Sequence, residues 1–135
     1  MKGIADTGFL VAFASKGNRH HNWAMGVAGQ VTEPLLTCES VLSEVAFHLG
    51  SSSYVLSLMA DQMIRLAFEV NRHVDALRDL AERYADRNPD FADICLIRMS
   101  EVFPRHSVIT TDEADFRVYR RNKRDAIPLL CPPRS

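Results

Sequence analysis

Lys2-Gly3-Ile4-Ala5-Asp6-Thr7-Gly8-Phe9-Leu10-Val11-Ala12-Phe13 divides at Asp6-Thr7 into a strand and a helix. The first part reads as a short buried strand. From Gly8 the run is apolar, and Thr7 is placed to cap a helix that continues through Phe13. Asp6 therefore sits at a strand-to-helix turn. If the sheet is parallel, its first and last core strands end side by side, and the ends of open α/β sheets are where ligands bind.

Working outward, a polar break at 15–20 precedes a helix over 22–31, and Pro34-Leu35-Leu36-Thr37 reads as the next strand. From Ser40, the residues Val41, Leu42, Val45, Ala46 and Leu49 fall in one arc at helical spacing, with Glu44 on its margin one turn before His48. Gly50 and three serines end that helix and start another over 54–64, and 65–70 alternates like a strand. Val74, Leu77, Leu80, Ala81 and Tyr84 make an amphipathic helix with Asp79 and Arg83 paired on its wet side. Asn88-Pro89-Asp90 then opens a largely apolar, buried helix whose first turn holds Asp93. A strand over 107–110, a helix opened by 111–116 and an edge strand over 127–130 complete the pattern. Strands separated by helices imply parallel crossovers, so one α/β domain is expected over 1–135.

Composition narrows the class. With 135 residues, 47% hydrophobic and 24% charged, the chain suits one core that buries roughly two-thirds of its unfolded surface. The longest apolar run, 9–14, is far below the ~20 residues of a membrane span. Lys2 is not followed by a signal-peptide core, so a soluble, unprocessed protein is expected, with no membrane partner. Three separated cysteines, Cys38, Cys95 and Cys131, argue for a reducing cytoplasm and against a disulfide scaffold or structural zinc. The net charge of -1 excludes a uniformly basic nucleic-acid binder. Charge is uneven, however: no Lys or Arg lies between Arg19 and Arg65, whereas Arg117, Arg120, Arg121, Lys123 and Arg124 cluster late. That cluster reads as a solvated helix end or as a phosphate-contacting rim. The cation-free stretch is a candidate interface, and ordinary core helices explain it equally well.

Asp6, Glu44, Asp93 and Asp112 are the acids that need a reason. Capping accounts for several singly: Asp90 and Asp93 have capping-box spacing, and Asp112 and Glu113 can follow a Thr111 cap. Asp6 resists this because Thr7 supplies a cap, and Glu44 lies past the first turn beside the core-facing stripe, where it loses hydration unless it meets a cation or donors. All-oxygen ligands from four segments match Mg²⁺ or Mn²⁺ rather than zinc. His20, His21 and His48 are read as structural, and Trp23, Phe47 and Tyr54 as core or interface residues before base-stacking ones.

Asp6-Thr7-Gly8-Phe9-Leu10-Val11-Ala12, Ser43-Glu44-Val45, Asp90-Phe91-Ala92-Asp93-Ile94-Cys95-Leu96 and Thr110-Thr111-Asp112-Glu113-Ala114-Asp115-Phe116 together resemble the signature blocks of PIN-domain ribonucleases. Order and spacing agree across essentially the whole chain, and small single-domain members of this length most often resemble VapC-type toxins of toxin–antitoxin pairs. The resemblance implies a three-layer α/β/α sandwich with a central, mainly parallel sheet, and a divalent-metal-dependent endoribonuclease acting on RNA. It also implies a homodimer and a small antitoxin protein as partners. The family's central acids fall on Asp6, Glu44, Asp93 and Asp112, accessory acids on Asp90 and Asp115, and a supporting hydroxyl on Thr110 or Thr111. Cys95 and Arg98 depart from the small or apolar residues usual there.

On this expectation Asp6, Asp93 and Asp112 hold one Mg²⁺ or Mn²⁺, with Glu44 across the pocket steadying a second ion or orienting the attacking water. Water of lowered pKa attacks phosphorus in line, with no covalent protein intermediate. Arg117, Arg120 and Arg121 contact flanking phosphates. Two rivals are a catalytically silent PIN-like domain that binds RNA or protein, and a receiver-like phosphoacceptor. The second lacks an adjacent acidic pair at Asp6 and a Lys after the strand ending near Thr110.

Overall fold

The computed structural model describes residues 1–134. In chain order its elements are β1 (Gly3–Ala5), α1 (Thr7–Ala14), α2 (His21–Ala28), β2 (Leu35–Thr37), α3 (Glu39–Leu49), α4 (Ser52–Ala60), β3 (Ile64–Leu66), α5 (Val74–Arg83), α6 (Phe91–Val102), β4 (Ser107–Ile109), α7 (Glu113–Val118), β5 (Arg120–Arg121), β6 (Asp125–Ala126) and β7 (Leu129–Leu130). Short 3₁₀ turns at Val70–Arg72 and Ala85–Arg87 flank α5.

The strands β3-β2-β1-β4-β7 form a five-stranded sheet that is parallel throughout, and helices cover it as a three-layer α/β/α sandwich. The chain moves outward from β1 to β2 and β3, then returns to place β4 on the other side of β1. That reversal puts a topological switch point between β1 and β4, where parallel sheets open a crevice at their C-terminal ends. Register there is fixed by Ile4 opposite Val108 and Ala5 opposite Ile109, and the Asp6 N–H donates to the Ile109 carbonyl at 3.0 Å. Gly3 is needed beneath it: a Cβ would lie 2.6 Å from Ile109 Cδ1 and 2.9 Å from Leu35 Cδ2.

The core is built from the apolar faces that the periodicity marks. Phe9, Leu10 and Ala12 of α1 and Val41, Leu42 and Val45 of α3 are buried, and α6 is the most enclosed helix, from Ala92 and Ile94 through Met99. Such a helix has almost no wet face, which is why Arg98 turns to its edge, donating to His73 Nδ1 (3.1 Å) and pairing with Glu101 (3.1 Å). Among the described residues no helix is long and apolar enough to cross a membrane.

Several local expectations are corrected. The helix placed over 54–64 ends at Ala60, because Gln62 takes a left-handed conformation (φ 60°) that turns the chain into β3. The strand placed over 65–70 covers only Ile64–Leu66, since its neighbour β2 already ends at Thr37 and offers no partner beyond the Ala67 N–H to Thr37 carbonyl bond. Only Arg117 of the basic cluster lies in the last turn of a helix: α7 stops at Val118, and Arg120-Arg121 pairs antiparallel with Asp125-Ala126. Asn122 (φ 50°) and Lys123 (φ 72°) make the left-handed turn that a tight hairpin requires.

Candidate functional site

Two of the four acids, Asp6 and Asp112, stand at strand-to-helix junctions, Asp93 in the first turn of α6 and Glu44 within α3, and the local bonds differ from the capping roles read in the sequence. Asp6, not Thr7, is the N-cap of α1, with Oδ1 accepting from the Thr7 N–H at 2.6 Å. Thr7 is thereby free to donate its hydroxyl to Glu44 Oε1 at 2.5 Å, which ties α1 to α3. Thr110, wholly buried past β4, donates to Asp6 Oδ2 at 2.6 Å and accepts from the Asp112 N–H at 2.9 Å. One hydroxyl thus couples the two strand ends. Asp112 replaces Thr111 as the N-cap of α7, accepting from the Asp115 N–H at 3.4 Å. Asp90 occupies the N-cap of α6 without a side-chain capping bond, and Asp93 makes none either: its Oδ2 accepts from the Tyr119 hydroxyl at 3.2 Å.

Asp6, Glu44, Asp90, Asp93 and Asp112 line one cleft of about 330 Å³ at the switch point. Gly8 and Thr111 also line it and meet closely: a Cβ on Gly8 would fall 2.1 Å from Thr111 Oγ1. Hollows of about 490 and 520 Å³ lie beside Phe68, larger than the cleft, but their only acids are the exposed Glu39 and Glu69. Size is therefore a poor guide here; convergence of five acids around the buried Asp6 and the half-buried Glu44 and Asp93 is the better one.

The electrostatics match that crowding. Burial first, then the charges of Glu44 and Asp112, push the Asp6 pKa up to about 6 against the hydrogen bonds from Thr110 and Thr7. Asp93 is pushed up to about 7, mainly by burial and next by Asp6, with Tyr119 opposing. Asp112 is raised as well, by burial and by Asp115 and Asp90. Among the described residues no Lys or Arg forms an ion pair with Asp6, Glu44, Asp90, Asp93 or Asp112.

One carboxylate oxygen each from Asp93, Asp112 and Asp115 lie within 4.8 Å of one another. Cis ligands on an octahedral ion with ~2.1 Å bonds stand ~3 Å apart and trans ligands ~4 Å, so only modest side-chain rotation would be needed for this trio to meet one hard cation. The donor set is all oxygen and fits Mg²⁺ or Mn²⁺. Asp115 joins this trio while also pairing with Arg87 at 3.4 Å, and Asp6 sits deeper with both oxygens already accepting.

The structure does not bring Arg117, Arg120 or Arg121 to the cleft. Arg117 pairs with Glu113 at 2.8 Å, Arg120 reaches the carbonyls of Arg117 and Tyr119, and Arg121 reaches those of Ser100 and Pro104. Two residues set aside in the sequence do line it: His20 and His48. For His48 the signal was there, one helical turn from Glu44; His20 gave none, because it follows a loop. His21 is structural, its Nδ1 2.8 Å from the Ala12 carbonyl oxygen. Trp23 packs edge-on to Phe9, whereas Phe47 is 83% exposed and belongs to no core. Neither a protein-family model nor a curated protein matches the chain.

Proposed function

We propose that the protein is a divalent-metal-dependent endoribonuclease of the PIN-domain kind, the toxin of a toxin–antitoxin pair. The observation that carries this reading is the meeting of acids from four separate segments in one cleft at the sheet's switch point, where none of them pairs with a Lys or Arg among the described residues. Asp93, Asp112 and Asp115 would hold Mg²⁺ or Mn²⁺, with the more deeply buried Asp6 in the same cleft as Asp93 and Asp112. The ion would supply Lewis acidity for the phosphodiester and a water of lowered pKa.

The chain's own residues do the rest. Glu44, fixed by Thr7, faces the cleft from α3 as the group that orients a water. Thr110 favours the ionised form of Asp6 against its burial, since its hydroxyl donates to the charged carboxylate. His20 and His48 stand on the rim where a flanking phosphate would pass. Exposed Met25, Phe47 and Leu56 in the cation-free stretch support a homodimer or antitoxin contact. Three free thiols support a cytoplasmic setting.

The test is cleavage of RNA with and without EDTA, wild type beside Asp93→Asn. Cleavage should need the divalent ion and fall by more than ~100-fold in the variant, beyond the 10–100-fold usual for groups that only orient a ligand. Equal cleavage by the variant, or cleavage that survives EDTA, would remove this function.

A further inference from the structure

We propose that Tyr119 is a positioning residue for the candidate metal centre: its buried hydroxyl fixes the Asp93 carboxylate, and the basic segment after α7 holds Tyr119 in place. This rests on the reading that Asp93 belongs to a divalent-cation site. Tyr119 is 1% exposed and is the largest of the fully buried side chains. It ends α7, whose first residue follows Asp112, so it links one acid-bearing segment to another. Among the described residues its hydroxyl is the one group that donates to the Asp93 side chain, and it takes Oδ2, leaving Oδ1 without a hydrogen bond. A carboxylate held at one oxygen and open at the other is oriented for a ligand.

The phenol has little room to swing. Tyr84 meets it edge-on at 5.1 Å and Phe116 at 5.3 Å, close to perpendicular in the second case (89°). Its backbone is held too: the Arg120 N–H donates to the Tyr84 hydroxyl at 2.8 Å. Next along, one nitrogen of Arg121 bridges the Ser100 (3.0 Å) and Pro104 (3.1 Å) carbonyls at the end of α6, and the Asn122 N–H donates to Glu101 at 2.6 Å. A guanidinium at a helix C-terminus is favoured by the macrodipole. The hairpin is thereby bolted to α6, the helix that presents Asp93. Tyr119 also suits the task chemically. Burial and the acids nearby push its pKa further up, so it stays a neutral donor beside negative charge.

The experiment is Mn²⁺ binding to the whole chain, read by the loss of the free-ion paramagnetic signal, with thermal unfolding run in parallel. Tyr119→Phe keeps the ring packing and removes only the hydroxyl; Mn²⁺ affinity should fall ~10–100-fold. In an Asp93→Asn background the same substitution should have no further effect, because the group it positions is gone. Wild-type affinity in Tyr119→Phe overturns the proposal while leaving the metal reading intact. A wild-type chain that takes up no Mn²⁺ overturns both. If Tyr119→Phe does not fold, Tyr84→Phe carries the test through the Arg120 bond: weaker Mn²⁺ binding supports the proposal, and unchanged binding defeats it.

Discussion

On the outer side of α7, Glu113 sits between Arg117 (2.8 Å) and Arg134 (3.2 Å), and its pKa lies below the ordinary carboxylate value. One residue earlier, Asp112 lines the cleft without an ion pair among the described residues, and burial and neighbouring acids hold its pKa above that value. The chain therefore has arginines within reach of acids and uses them on the surface, while the cleft keeps its carboxylates unneutralised. Crowding of this kind raises carboxyl pKa values and marks the cleft as a candidate functional site.

Three substitutions would sharpen or break that contrast. The largest effect falls on Thr110→Val, which keeps the shape but leaves Asp6 Oδ2 and the Asp112 N–H without their partner. Denaturant unfolding at pH 8 should show a loss of ~2 kcal/mol; an unchanged midpoint would mean that the strand ends are not coupled through this hydroxyl.

Asp93→Asn comes next and has the opposite sign. A carboxyl whose folded pKa is about 7 against 3.8 unfolded keeps its proton in the folded state while the unfolded chain ionises. Metal-free stability therefore falls as pH rises from about 4 to about 7. Removing the charge should recover ~1–2 kcal/mol at pH 8, after allowance for the water that reaches this half-buried group, and nothing at pH 3.5. Thermal unfolding across that range checks it, and a gain that does not vary with pH would contradict the assignment. The smallest effect belongs to Glu113→Gln on the paired side, where exposed ion pairs contribute little and stability should barely move.

Much of this arrangement was legible because it is local. Asp6 after a buried strand, Glu44 beside an apolar stripe and Asp93 in the first turn of an apolar helix are readable from periodicity, and the parallel sheet follows from strands alternating with helices. What escaped depends on distance along the chain. Nothing near Tyr119 points to Asp93, 26 positions earlier, and nothing in Arg120-Arg121 distinguishes a phosphate contact from a bond to the end of α6. The hairpin was missed because its strands are two residues each, too short for alternation to register. The caps were displaced by one residue, Thr7 to Asp6 and Thr111 to Asp112, because acid and hydroxyl side chains compete for the same orphan N–H groups.

On the proposed reading, Asp93, whose pKa burial and the charge of Asp6 push up to about 7, gives up its proton to a hard divalent cation held with Asp112 and Asp115. The direct measurement is calorimetric titration of Mn²⁺ into the metal-free protein at pH 6.5, repeated in buffers of different ionisation enthalpy. Binding should release protons at that pH, lose the release above pH 8, and vanish or weaken severely in Asp93→Asn. No binding, or binding with no proton released at pH 6.5, would contradict the account.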